Sequence, residues 1–112
     1  MPSIVQQQLT VISEPTRFRI VEFLKDGPRS VGGIVDDLNM GQPQVSRHLR
    51  LLAEAGVVDV TKRAQQRIYE LRPAAMQGLS DWTQQFAGLW SERLDRLGAF
   101  LDETSSGGAD DA

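Results

Sequence analysis

A chain of 112 residues with 40% apolar and 24% charged residues is sized for one globular domain. It contains no cysteine, which excludes disulfides, thiolate metal sites and cysteine redox chemistry. The net charge of −3 is unevenly spread: residues 42–72 hold six Lys/Arg against three acids, whereas residues 102–112 hold four acids and no base. Such asymmetry points to a basic working surface on an acidic body.

The opening "MPSIVQQQLTVIS" has neither the cationic start nor the long apolar run of a secretory signal. No stretch approaches the ~20 apolar residues of a membrane span, so a cytoplasmic protein without membrane contact is expected. Ile4 to Ile12 reads as a short first helix. In "SEPTRFRIVEFLKDG", Ser13 can cap a second helix with Pro15 in its first turn, and Gly27-Pro28 stops it. Ser30 is the expected N-cap of a third helix, whose apolar face is Val31, Ile34, Val35 and Leu38. Gly32 and Gly33 inside it each cost roughly 1 kcal/mol relative to alanine, which suggests close packing of a neighbouring helix.

Asn39 can take the left-handed conformation that ends this helix, and Gly41 can cap the next, with Pro43 tolerated in its first turn. Val45, Leu49 and Leu52 line one face of this fourth helix, over residues 42–55, and Gly56 stops it. From Val57 the apolar period changes to two. "VVDVTKR" and "RIYEL" bracket "AQQ" as a β-hairpin, with Val58, Val60, Ile68 and the Lys62 stem sharing a face. Pro73 ends the second strand. A long helix is expected from about Ala74 to Glu103, and residues 104–112 read as a disordered acidic tail. The domain thus spans residues 1–103 in the order α-α-α-α-β-β-α.

Four residues between the third and fourth helices make a tight turn, the geometry of a helix-turn-helix. At 100° per residue, Arg47 and Arg50 lie opposite the buried face of the fourth helix, with Ser46 beside them. Gln42 and Gln44 sit at its free N-terminal end, the end that touches base edges. Glutamine pairs in two places with adenine, and arginine with guanine. Lys62, Arg63, Gln65 and Arg67 cluster at the hairpin tip, as a wing over residues 62–67 would require. His48, the only histidine, flanks the buried face. It is expected to pack at the edge of the core and bond backbone or a DNA phosphate.

These residues resemble the ArsR-type winged-helix repressors of bacteria and archaea. The likeness runs from about Leu9 to Leu101 and is carried by "SEPTRFRIVEFL", "SVGGIVDDL", "RIYEL" and, most specifically, "VSRHLRLLAEAG". It implies a mainly α winged helix-turn-helix, and a homodimeric transcriptional repressor that binds a palindromic double-stranded DNA operator. The family's metal sensors use cysteines in the third helix, or histidine and acidic pairs on the terminal helix. Here there is no cysteine, and Asp81, Glu92 and Asp95 have no histidine partners, so no metal and no cofactor are expected. Ala64 stands where the family often has a wing-tip glycine, and Gly41 where a Ser or Thr cap is common.

The terminal helix carries more apolar surface than one intramolecular stripe needs. Trp82, Phe86, Leu89, Trp90, Leu94, Leu97 and Leu101, with Ile4, Leu9 and Ile12 of the first helix, are expected to pair two copies. Pairing would set the two recognition helices ~34 Å apart, one DNA turn. An apolar small-molecule inducer would enter between the aromatic terminal helices, although aromatic dimer packing needs no such ligand. The competing reading is a winged-helix module that binds protein through this helix and no DNA. Nothing supports an enzyme: no nucleophile with a base, no glycine-rich phosphate loop and no metal-ligand cluster is present.

Overall fold

A computed structural model describes residues 2–109, the side chains of residues 90 and 103–109 excepted. The elements run α1 (Ile4–Ile12), α2 (Pro15–Leu24), β1 (Arg29–Ser30), α3 (Val31–Leu38), α4 (Gln42–Glu54), β2 (Val58–Arg63), β3 (Gln66–Leu71), α5 (Pro73–Gln84) and α6 (Ala87–Ala109). The three strands form one antiparallel sheet in the order β1-β3-β2. The chain divides between Leu79 and Ser80 into two compact units. No helix among the described residues is long and apolar enough to cross a membrane.

Local chemistry sets the helix ends. The Ser30 hydroxyl accepts from the Gly33 amide at 3.0 Å and starts α3. Asn39 closes α3 in the left-handed region, with φ 53°. Gly41 caps α4 through its backbone alone, and Pro43 fits the first turn because that turn has no amide to satisfy. The cap of α2 is Glu14 rather than Ser13: its carboxylate accepts from the Arg17 amide at 2.9 Å, while the Ser13 hydroxyl donates to the Thr10 carbonyl at the end of α1. That amide also holds the Glu14 carboxyl below its usual range.

The core lies in the first unit, where Ile20, Ile34, Val45, Leu49, Leu52 and Val57 are wholly buried. The side chain of Gln8 is buried beside it and donates to the Ala55 carbonyl at 3.2 Å, tying α1 to the end of α4. Gly56 makes the turn into β2 with φ 77°, and a Cβ there would meet the Arg72 guanidinium at 3.3 Å.

Beyond the cap of α2, four expectations change. Strand β1, two residues without alternation, exists by pairing Arg29 with Tyr69 and Ser30 with Ile68. Gly32 and Gly33 face no neighbouring helix, since an added Cβ would meet only the Ser30 hydroxyl, at 3.9 and 3.4 Å. The expected long terminal helix is two helices. The Gln85 and Phe86 amides reach back only three residues, to Trp82 and Thr83, and the Thr83 hydroxyl takes the Ser80 carbonyl. The backbone of α6 then continues to Ala109, and residues 110–112 of the acidic tail lie outside the described residues.

The fourth change concerns the hairpin register. Arg63 pairs with Gln66, so the turn is Ala64-Gln65 and not the three-residue "AQQ". That slip of one residue turns β3 over. Ile68 sits opposite Thr61, and Tyr69 takes the place beside Val60 on the face shared with Val58. Ala64 adopts φ 53°, a left-handed conformation in which a Cβ costs about 1–2 kcal/mol. Ala64→Gly is therefore expected to stabilise the protein by about 1 kcal/mol, read as a higher midpoint in urea at unchanged slope. An unchanged or lower midpoint would show that the wing tip is unstrained.

Candidate nucleic-acid interface

Helix α4 has two chemically distinct faces. Val45, Leu49 and Leu52 are wholly buried and fix its roll against the core. Gln42, Pro43, Gln44, Arg47 and Arg50 are exposed, and Ser46 is half-buried on the flank nearest the wing. Arg50 lies 4.0 Å from Glu54 one turn on, an exposed pair of little energetic weight. Arg47 has no acidic partner among the described residues.

The wing brings Arg67 to the same side, with Lys62 on the same strand face and Arg63 on the opposite one. Lys62, Arg63, Gln65 and Arg67 are exposed, and Lys62 stands directly opposite Arg67 in the cross-strand register. Like charges so placed destabilise a hairpin unless an anion sits near them. None of Lys62, Arg63 and Arg67 has an acidic partner among the described residues. Arg72, part of the same basic stretch of sequence, is different: its Nε and Nη2 both lie 2.8 Å from Asp59 Oδ1, which locks the base of the hairpin.

Two clefts separate α4 from the wing. One, of about 370 Å³, runs from Ser30 and Gly32 at the start of α3 past Gln42 and Ser46 to Gln65 and Arg67. The other, of about 480 Å³, lies between Arg47 and Arg50 on α4 and Val60, Arg67 and Tyr69 on the sheet. Arg67 borders both. The register slip is what puts Arg67 there, since Arg67 shares its face with Tyr69 and Val60. Ser30, Gly32, Val60 and Tyr69 join the site although no spacing in the sequence marks them. Their membership depends on pairing between distant segments.

His48, expected among the DNA contacts, is turned toward α2. Its Nδ1 lies 3.2 Å from the Arg17 guanidinium and 3.6 Å from Glu14 Oε2. Arg17 also reaches the Val11 carbonyl with its Nε at 2.6 Å, so the three residues clamp α4 to the corner between α1 and α2. His48 lies 100° around the helix from Arg47, which is why its ring meets α2 while the arginine faces outward.

In the second unit, Trp82 and Phe86 meet edge to face, with ring centroids 5.2 Å apart. Both are exposed, as are Leu89, Leu94, Leu97, Phe100 and Leu101. Ile4 and Leu9 on α1 are also exposed, whereas Ile12 packs against the core. The side chain of Trp90 lies outside the described residues. No three His, Asp or Glu side chains converge as a metal site among the described residues.

Comparison with known proteins gives a consistent result. Residues 14–60 match the family model "Bacterial regulatory protein, arsR family". The transcriptional repressor SdpR of Bacillus subtilis is 33% identical over 75 residues, covering 67% of this chain and 83% of that one. The HTH-type transcriptional regulator Rv2034 of Mycobacterium tuberculosis is 33% identical over 91 residues, covering 81% and 82%. Among solved structures, a "Possible transcriptional regulator for arsenical resistance" superposes with TM-score 0.64 at 36% identity, over 83% of this chain and 94% of that one.

Proposed function

Because the chain belongs to the ArsR family of bacterial regulatory proteins, DNA-binding transcriptional regulators with a winged helix-turn-helix, we propose that it acts as a homodimeric repressor of a palindromic operator. Helix α4 enters the major groove with Gln42, Gln44, Ser46 and Arg47 toward base edges. Arg50 and the wing cations Lys62, Arg63 and Arg67 take phosphates of the adjoining backbone. His48 holds the helix at its angle. The exposed apolar faces of α5 and α6, with Ile4 and Leu9, supply the contact between two copies.

The observation that carries this reading is the facing of unpaired cations. Arg47 on α4 looks across an open cleft to Arg67 on β3, with no acid between them among the described residues. A solvated surface gains nothing from such an arrangement, whereas a phosphate backbone lying between helix and wing neutralises it. The test is Arg47→Ala, measured by fluorescence anisotropy on a duplex recovered from genome-wide mapping of bound sites. Affinity is expected to fall about 10–100-fold while sedimentation still reports a dimer. Wild-type affinity in that variant would take α4 out of the groove.

A further inference from the structure

The larger cleft between α4 and the wing has a property that phosphate contact alone does not require. Its lining combines three cations, Arg47, Arg50 and Arg67, with the apolar side chains of Ala53 and Val60 and the aromatic ring of Tyr69. Val60 is a β-branched side chain 49% exposed, whereas Val58 on the same face is 1% exposed. The cross-strand partner of Val60 is Tyr69, itself only 7% exposed, so Val60 supplies the open apolar surface and the buried tyrosine backs it. The volume, about 480 Å³, falls within the range of small-molecule sites and exceeds what a bare oxyanion fills.

We propose that this cleft binds a small organic anion with a flat apolar body, an aromatic monocarboxylate in class, and that the bound anion competes with DNA for Arg47 and Arg67. The carboxylate takes the forked donors of one arginine, and the ring lies on Val60, with Tyr69 behind it. Such a ligand occupies the surface that meets the operator, so it releases DNA by direct exclusion. No movement of the terminal helices is needed. The competition rests on the DNA-binding role, but occupancy of the cleft does not.

The experiment uses naphthoate as the probe, with naphthylmethanol, its neutral analogue, as the control. The full chain is followed by amide chemical shifts. Expected are saturable shifts centred on Val60, Arg67 and Tyr69, with a dissociation constant on the order of 100 µM. The alcohol should bind at least about 10-fold more weakly, as should naphthoate to Arg67→Ala. Val60→Thr, which keeps the branched shape, should weaken naphthoate about 3–10-fold. No saturation by about 10 mM, equal binding of the alcohol, or shifts confined to α5 and α6 would overturn the site. With labelled duplex present, naphthoate at about ten times its dissociation constant should weaken DNA binding about 10-fold. Unchanged DNA affinity with the cleft occupied would overturn the competition. Failure to bind DNA without naphthoate would remove the DNA-binding role, and the competition with it, but not the ligand site.

Discussion

Raising the salt from 50 to 200 mM is expected to weaken DNA binding by about 10³-fold. The magnitude follows from the charge placement. Five side chains per protomer, Arg47, Arg50, Lys62, Arg63 and Arg67, are exposed on α4 and the wing. If about three of them reach phosphates, a dimer neutralises about six, and each releases a counterion, giving a slope near −5 in log–log form. Anisotropy titrations at four or five salt concentrations measure it directly. A slope near zero would mean that the cationic face is a solvated surface, and the winged helix would then serve only protein contacts. Arg50→Ala, which removes one proposed phosphate contact per protomer, should make the slope shallower by about two in the dimer, since its exposed pair with Glu54 is too weak to hold it back.

The second large effect is on stability. Leu49→Ala should destabilise the protein by about 3–5 kcal/mol. Leu49 is wholly buried at the middle of the inner face of α4, between Val45 and Leu52, which are equally buried. Truncation leaves a cavity that a packed helix closes poorly. For a domain whose whole stability is about 5–15 kcal/mol, that is a large fraction. Urea unfolding at fixed protein concentration, followed by circular dichroism, measures the loss, and fixing the concentration keeps any dimer contribution constant. A loss below about 1 kcal/mol would mean that α4 is not seated by this face. Arg50→Ala is the control, expected within about 0.5 kcal/mol of wild type.

Much of this was legible in the sequence because the informative signals were local. Ser30, Asn39 and Gly41 mark helix ends by their own conformational preferences, and each stands at the end it was expected to mark. The split of α4 into Val45, Leu49 and Leu52 against Arg47 and Arg50 follows from its 3.6-residue period. What was not legible depends on partners far along the chain. The Arg17 contact of His48 joins residues 31 positions apart, and nothing near either one announces it. Strand β1 exists only because β3 is there to pair with it. The break after Gln84 carries no proline, and the glycine nearest it comes later, at Gly88, so composition gives no warning. The wing register was missed for a narrower reason. "AQQ" has no glycine or asparagine to fix a two-residue turn, and Ala64 adopts the positive φ regardless.

That two-residue turn also limits how the wing can change length. Side chains on a strand alternate between faces, so a residue added at Ala64-Gln65 has two outcomes: as a longer loop it leaves the pairing and the cleft unchanged, whereas drawn into the ladder under a two-residue turn it would swing Arg67 and Tyr69 away from α4 and bring Ile68 round in their place. Adding two would restore the parity and leave the cleft lined as it is. Length variation within the paired part of the wing should therefore come in even steps, whereas the turn itself is free of that parity. A homologue with one extra residue at this point must lengthen the turn, carry the counterpart of Arg67 one position later, or bulge the strand to correct the count.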